Sequence, residues 1–497
     1  STTIAIRWWV LRHTIRHIYI LKITKRFYLT NSIFYYTQLH KYGFVAMIMK
    51  KIVIIFFIFL YSFYLSAVDK KDVTDDKIYS YIEELKEILE YGIDSEVIAA
   101  LKDTGDTLRD DLFPKVLERY KKVRVMQTKI EFVNFFGNLK NNPQYVIDAL
   151  YEDASGDYVD KQINIALINT LAKIGGEREA KLIISRLDSE DNAIRMTAAD
   201  AISRMKIKEV SLLILERLKL AEDDPEKYLV SDIKSKLILY FGEVKATEAL
   251  EYLRKVAADK NNDKFIIMYA MLSLAKIGDL DSLDIIEKNL ENSEVKIQEY
   301  AGYALSLFEN PSVIPKLKNM ALHNNEQVRI YACQGLSKNK DPSAISLLVF
   351  KFKKDSSAKV RRAALQTLLE YGDIGVKEVK EFYKNIKMTD AMLSDIASIV
   401  SSNPNDDSVQ YLVELYNNAN DKGKEAIAKA IGFPKSNKID PIVKLMLQSP
   451  NFLIRMGGIK ALTLIKDTSL WDIIIDMSKN DKVEAVRKYA QKLLDLY

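Results

Sequence analysis

Through most of this chain, apolar residues recur with the period of a helix, in short stretches separated by polar turns. Val328, Ala332 and Leu336 fall at i, i+4 and i+8, one stripe of a 3.6-residue helix. The small Ala at its centre lets a neighbouring backbone come close. A short polar turn follows, often with Gly, as helix C-termini prefer. A second apolar-periodic stretch, Ala344 to Phe352, comes next, and a polar loop over 353–358 returns the chain. The pattern predicts pairs of helices of ~12 residues with one buried face each. Such a pair cannot stand alone, and stacking pairs side by side buries a continuous core. The predicted fold is all-α: a right-handed α-solenoid of about 11–13 antiparallel helix pairs.

The pattern repeats along the chain. Leu171-Ala-Lys-Ile-Gly175 returns as Leu274-Ala-Lys-Ile-Gly278, 103 residues on, about three units. Val328-Arg-Ile-Tyr-Ala and Val360-Arg-Arg-Ala-Ala are offset by 32, as are Ile454-Arg-Met-Gly-Gly and Val486-Arg-Lys-Tyr-Ala; Ile194-Arg-Met-Thr-Ala belongs to the same set. Turns are expected at Gly175, Lys206, Gly242, Gly278, Glu309, Lys340, Gly372, Asn403, Gly432 and Lys466, and weaker ones at Gly92 and Gly137.

Composition sharpens this. Gly (17) and Pro (10) are about a third to a half of average usage, which disfavours β-sandwiches and flexible linkers. One Cys, Cys333, excludes an internal disulfide. The net charge of +5 is unevenly spread: nine Lys and Arg and no acid lie in 1–68, leaving 64 basic against 68 acidic residues, a net of −4, for the rest. A mildly acidic solenoid speaks against nucleic acid as a partner.

The start of the chain is a separate object. Met49-Lys50-Lys51 precedes an uncharged run from Ile52 to Leu65, then Ser66, Ala67, Val68 and the first acid, Asp69. Basic, apolar and small-residue regions in that order predict a signal peptide over 49–67. The alternative is an uncleaved anchor over 52–68, at the lower edge of what spans a bilayer. Residues 1–48 are expected to be a non-native or disordered extension, with Met49 the initiator. Divergent helical repeats are expected over 72–158 and regular ones over 159–497. The expected location is the periplasm or cell envelope.

Within the repeated region the V-R-x-x-A-x-x-x-L pattern, its Gly turn and the apolar partner helix resemble the HEAT-like repeats of the phycobilisome-lyase type. The resemblance runs from about Tyr79 to Tyr497 and is strongest in 160–373 and 452–497. It implies that the V-R helices line the concave face, and that Arg195, Arg329, Arg361, Arg455 and Arg487 are structural, often joined to a preceding Asp. Asp191 before Arg195 and Asp481 before Arg487 fit that pattern, whereas Arg329, Arg361 and Arg455 have no Asp at that place.

Little in the chain points to chemistry. His323 is the only His after residue 40, so the paired His-Glu motifs of HEAT-like hydroxylases are missing. No phosphate loop, nucleophile elbow or H-E-x-x-H occurs. Cys333 is expected to be a core thiol, Trp471 a core or capping residue, Asn405-Asp-Asp407 a helix boundary, and Lys351-Phe-Lys-Lys354 a solvated helix end. No cofactor, metal or catalytic group is expected. The expected function is a non-enzymatic scaffold binding a protein through its concave surface, with an accessory enzyme of the lyase-like kind as the alternative. Helix geometry puts Ile330 and Gln334 on a face away from the core stripe, with Glu299 and Tyr303 one repeat before and Arg362 and Gln366 one repeat after. These six form the candidate protein-binding patch.

Overall fold

The computed structural model describes residues 75–156, 160–223 and 229–497, with side chains from Ile82. The segments 1–48 and 49–67 lie outside the described residues. Twenty-six α-helices and no strand occupy the described residues. They fall into two compact units, one ending at Leu213 and the other starting at Ile214.

In the first unit are α1 (Asp75–Tyr91), α2 (Asp94–Asp103), α3 (Phe113–Lys122), α4 (Met126–Asn138), α5 (Gln144–Ser155), α6 (Lys161–Ile174), α7 (Glu177–Ser185) and α8 (Asn192–Met205). Helix α9 (Ser211–Asp223) carries the boundary. The second unit continues with α10 (Ser231–Val244), α11 (Leu250–Ala258), α12 (Lys264–Ile277), α13 (Leu283–Lys288), α14 (Val295–Leu305), α15 (Ile314–Met320), α16 (Glu326–Asn339), α17 (Ile345–Lys354) and α18 (Ala358–Glu370). It ends with α19 (Asp373–Tyr383), α20 (Asp390–Ser402), α21 (Asp406–Asn418), α22 (Asp421–Ile431), α23 (Asp440–Leu447), α24 (Phe452–Ala461), α25 (Trp471–Asn480) and α26 (Glu484–Leu494). They make thirteen consecutive pairs.

Within each unit the even-numbered helices, among them the five that carry the V-R pattern (α8, α16, α18, α24 and α26), stack in one layer and the odd-numbered ones in another. Successive even helices pack more closely than successive odd ones, so the even layer is the inner side of the stack. The exception is α18 against α20, where the inner contact is sparse.

The local signals explain why the inner helices begin and end where they do. Asp160, Asp191, Asp263, Asn325, Ser357, Thr389, Asn420 and Asn451 each sit at an N-cap and accept a hydrogen bond from a backbone N–H of the first turn. The stripe Val328, Ala332, Leu336 is fully buried, as is its counterpart Val360, Ala364, Leu368. At the far end, Lys206, Lys245 and Lys340 adopt the left-handed conformation, with φ of 52°, 54° and 50°. Gly278 takes the same place in α12, with φ 86°. A lysine there bears a steric cost that glycine does not, partly offset by its charge at the negative helix end.

Two expected turns prove to be helix interiors. Gly242 lies in α10, where a Cβ would stand 2.7 Å from the Ser273 Cα of α12. Gly137 lies in α4 against Thr170 of α6. Both mark close crossings of inner helices, and the true end of α10 is Lys245. Beside them runs a recurrent bond between neighbouring inner helices: the Thr170 hydroxyl donates to the Val133 carbonyl (3.1 Å), Ser273 to Ile238 (2.8 Å) and Thr367 to Cys333 (3.0 Å).

Candidate functional site

The six residues of the candidate patch lie on α14, α16 and α18. Tyr303, Gln334 and Arg362 are exposed, and Glu299, Ile330 and Gln366 are half-buried. Their engagements differ. Glu299 is paired with Lys296 at 2.6 Å, and Gln366 donates to Glu370 at 3.0 Å. Arg362 reaches forward to Asp395 of α20 at 2.5 Å, across the sparse α18–α20 junction. Beside that junction an open groove of about 740 Å³ is lined by Arg362, Tyr383, Met392, Asp395 and Ser398, among others. A second hollow of about 480 Å³ takes in Gln334 and Gln366. There Glu370 accepts bonds from Ser337, Gln366 and Asn403.

The V-R arginines share one contact that the sequence reading missed. In each, Nη1 donates to the carbonyl six residues earlier: Arg195 to Ser189 (2.9 Å), Arg329 to His323 (2.8 Å), Arg361 to Asp355 (2.7 Å), Arg455 to Ser449 (2.9 Å) and Arg487 to Asp481 (2.5 Å). Gln298 makes the same bond to Asn292 (2.7 Å) and takes the arginine's place in α14. The guanidinium thus ties down the loop that feeds its own helix.

The expected pairing with a preceding Asp is corrected. Asp191 caps α8 and pairs with Lys161 at 2.7 Å, not with Arg195. Asp481 offers Arg487 its backbone carbonyl. The carboxylates come instead from the following repeat, 26 residues on, and go to two arginines expected to have none. Arg329 binds Asp355 through Nε and Nη2, both at 3.0 Å. Arg455 binds Asp481 likewise, at 2.7 and 2.8 Å. Asp355 is therefore a node: its carboxylate holds Arg329, its carbonyl holds Arg361, and it also accepts the Ser357 N–H at 3.0 Å.

Arg329 and Asp355 are 9% and 8% exposed. Burial pushes the Asp355 carboxyl up, but the bonds from Arg329, the Ser357 N–H and Lys351 outweigh it and leave the group below its ordinary value. Lys351, expected to be solvated, is buried and donates to Asp355 at 3.2 Å, whereas Lys353 and Lys354 are exposed. The apolar stem of a buried lysine packs well when a carboxylate receives its head.

Other singled-out residues have structural places. Cys333 is fully buried, and burial pushes its thiol up to about 12. His323 accepts the Asn325 N–H at Nδ1 (3.0 Å), so its Nε2 carries the proton toward the Leu290 carbonyl at 3.2 Å. Trp471 opens α25, donates from Nε1 to Lys466 (2.9 Å) and stacks edge-on against Tyr497. Asn405 caps α21. Among the described residues, no group of three or more His, Cys, Asp or Glu could hold a metal ion. Among them also, no helix is long and apolar enough to cross a membrane.

The sequence reading also passed over a row of tyrosines. Tyr269, Tyr300 and Tyr331 occupy one register of α12, α14 and α16, each just before the buried Ala (Ala270, Ala301, Ala332) and 31 residues apart. The recurring Tyr-Ala dipeptide was the available signal. Tyr269 and Tyr300 pack with ring centroids 6.2 Å apart, and Tyr303 lies 5.3 Å from Tyr331.

Residues 290–369, which hold α14 to most of α18, match the family model of HEAT repeats. No curated protein matches the chain. Among solved structures it is similar to human deoxyhypusine hydroxylase, at 16% identity over 52% of this chain and 96% of that one, with a TM-score of 0.23. It is similar to the CpcE–CpcF complex of phycocyanin lyase from Nostoc sp. (18% identity, 53% and 94% covered, TM-score 0.31). It is also similar to the karyopherin Kap121p (11%, 84% and 53%, TM-score 0.41), of which it spans about half the length. The matched stretch holds the same helix pairs, capped starts and carbonyl-clamping arginines that recur on either side of it, so the HEAT-like repeat pattern of residues 290–369 extends beyond them.

Proposed function

We propose that the protein is a non-enzymatic scaffold that holds a protein partner on the inner face of α14 to α18. The observation that supports this is the exposure of Tyr303, Gln334 and Arg362, with half-buried Ile330, on three successive helices whose opposite faces are locked in the core. Tyrosine and arginine on a rigid, already ordered support are the residue types in which binding energy concentrates, because little side-chain freedom is lost on contact. We further propose that the protein works in the cell envelope after export, a reading supported by the order of basic, apolar and small residues over 49–67 and the charge change at Asp69.

The test is cross-linked capture from envelope extracts with the full chain and with the double variant Tyr303→Ala, Arg362→Glu. Loss of capture is expected with little change in melting, because neither side chain is in the core and the exposed Arg362–Asp395 pair is worth ~1 kcal/mol or less. Undiminished capture would move the site elsewhere. For export, N-terminal sequencing of the native protein should find a start near Val68, and a start upstream of Met49 would overturn the reading.

A further inference from the structure

We infer that the Arg361 guanidinium, at the sparsely packed α18–α20 joint, is an open seat for a carboxylate supplied by the partner. The inference deepens the scaffold reading and rests on it.

Two other joints show such a seat filled. The Asp355 carboxylate is held by Arg329 through Nε and Nη2, by Lys351 and by the Ser357 N–H. The Asp481 carboxylate is held by Arg455 through the same two nitrogens and by the Val483 N–H at 2.9 Å. Each Asp stands two residues before the N-cap of the next inner helix, Ser357 of α18 and Val483 of α26. In both places the Nη1 bond to a carbonyl fixes the guanidinium, and the Nε and Nη2 edge meets the acid.

Arg361 has the first half of this arrangement and lacks the second. Its Nη1 donates to the carbonyls of Asp355 (2.7 Å) and Ser356 (3.2 Å). Its Nε and Nη2 have no hydrogen-bond partner among the described residues and are open to solvent. The residue two before the next N-cap, Thr389 of α20, is Lys387 in place of an Asp. Lys387 is exposed and has no ion pair among the described residues, and the Thr389 N–H has no acceptor among them. Helix α19, unlike α17 and α25, has few contacts with the inner helix that follows it.

The register thus supplies the donors that enclose a carboxylate at the other two joints, and a cation stands where the acid would be. An acid from outside the chain meets a planar fork that receives it through two parallel bonds. Lys387 adds a second cation, as Lys351 does for Asp355. Arg362 of the candidate patch is the next residue in the chain, so a partner lying on α14 to α18 passes beside the seat.

The test follows the Arg361 Nε–H resonance in the full chain with isotopically labelled arginine. Ac-Gly-Glu-Gly-NH2 offers a side-chain carboxylate and Ac-Gly-Gly-Gly a C-terminal one. A saturable shift with either is expected, and the tighter of the two names the source, whereas Ac-Gly-Gln-Gly-NH2 should shift nothing. Arg361→Gln removes the fork and keeps the carbonyl clamp, as Gln298 does in α14, so it should weaken partner capture with α18 intact. Lys387→Asp supplies the acid from within. It should abolish the peptide shift and slow exchange of the first-turn amides of α18 about tenfold, and adding Arg361→Gln should undo that slowing. An equal shift with the glutamine peptide, no shift with either acid, or unchanged exchange in Lys387→Asp would overturn the seat. Saturation by inorganic phosphate at a lower concentration than by either acid would overturn it in favour of a phosphate site. Partner capture undiminished by Arg361→Gln overturns the seat and leaves the scaffold standing. Binding of the acids by a chain that captures no partner supports the seat and counts against the scaffold.

Discussion

Arg329 and Arg195 begin alike and end differently. Each follows an apolar residue in the first turn of an inner helix, and each clamps the carbonyl six residues back. Arg329 then turns its Nε and Nη2 to Asp355 of the next repeat and is buried with it. Arg195 is half-buried, meets only Asn192 through Nη2 at 3.3 Å, and its buried Nε has no partner in the described structure. The residue 26 positions on explains the difference: it is Asp355 for Arg329 and Asp481 for Arg455, but Ala221 for Arg195 and Lys387 for Arg361. The carbonyl clamp belongs to the repeat. The carboxylate bond belongs to a particular pair of repeats, and only where it forms does the cation sink into the core.

The largest effect should come from Asp355→Ala, which leaves Arg329 and Lys351 buried without a carboxylate. We expect a loss of about 3–5 kcal/mol, read from the exchange of α16 amides, together with faster labelling of Cys333, which is otherwise inert at neutral pH. Asp481→Ala removes a pair that is slightly more open, with the Arg455 side chain 12% exposed, and should cost about 2–4 kcal/mol in α24. Arg195→Ala should cost only ~1–2 kcal/mol in α8, the worth of hydrogen bonds from a charged group. An equal loss for Arg195→Ala and Asp355→Ala would break the comparison. The smallest effect is on pH dependence. Asp355 and Asp481 both lie below the ordinary value of 3.8 in the folded chain. Their contribution is therefore full above the unfolded pKa and is lost as pH falls from about 4 through the lower folded values. Asp355→Asn should flatten that acid limb in α16 and leave α8 unchanged, and an unaltered limb would count against the assignment.

The architecture was legible because burial writes its period into the chain. Val328, Ala332 and Leu336 could be placed in the core from spacing alone, and the N-caps from Asp, Asn, Ser or Thr before each stripe. What was not legible depends on contacts between repeats. Gly242 reads as a turn in isolation, and only the approach of Ser273 shows it to be a crossing. The partner of Arg329 lies beyond a whole helix, so a search in the preceding loop found the wrong aspartates. Lys351 looked solvated because three lysines crowd one helix end, yet the carboxylate four residues on draws that one inward. The six residues of the candidate patch lie on α14, α16 and α18, while the recurrence of Tyr269, Tyr300 and Tyr331 beside them shows only when successive repeats are aligned.

The Asp355 node also has a mechanical meaning. A load that separates the Arg329 repeat from the Arg361 repeat must strip the Asp355 carboxylate from Arg329, while Arg361 holds the Asp355 backbone in place, so that joint resists tension. The next joint, α18 to α20, has sparse inner packing and is bridged at the surface by Arg362 and Asp395, a pair worth ~1 kcal/mol or less. Stretched from its ends, the second unit would yield there first, releasing its last four helix pairs before the segment that carries the tyrosines begins to unravel.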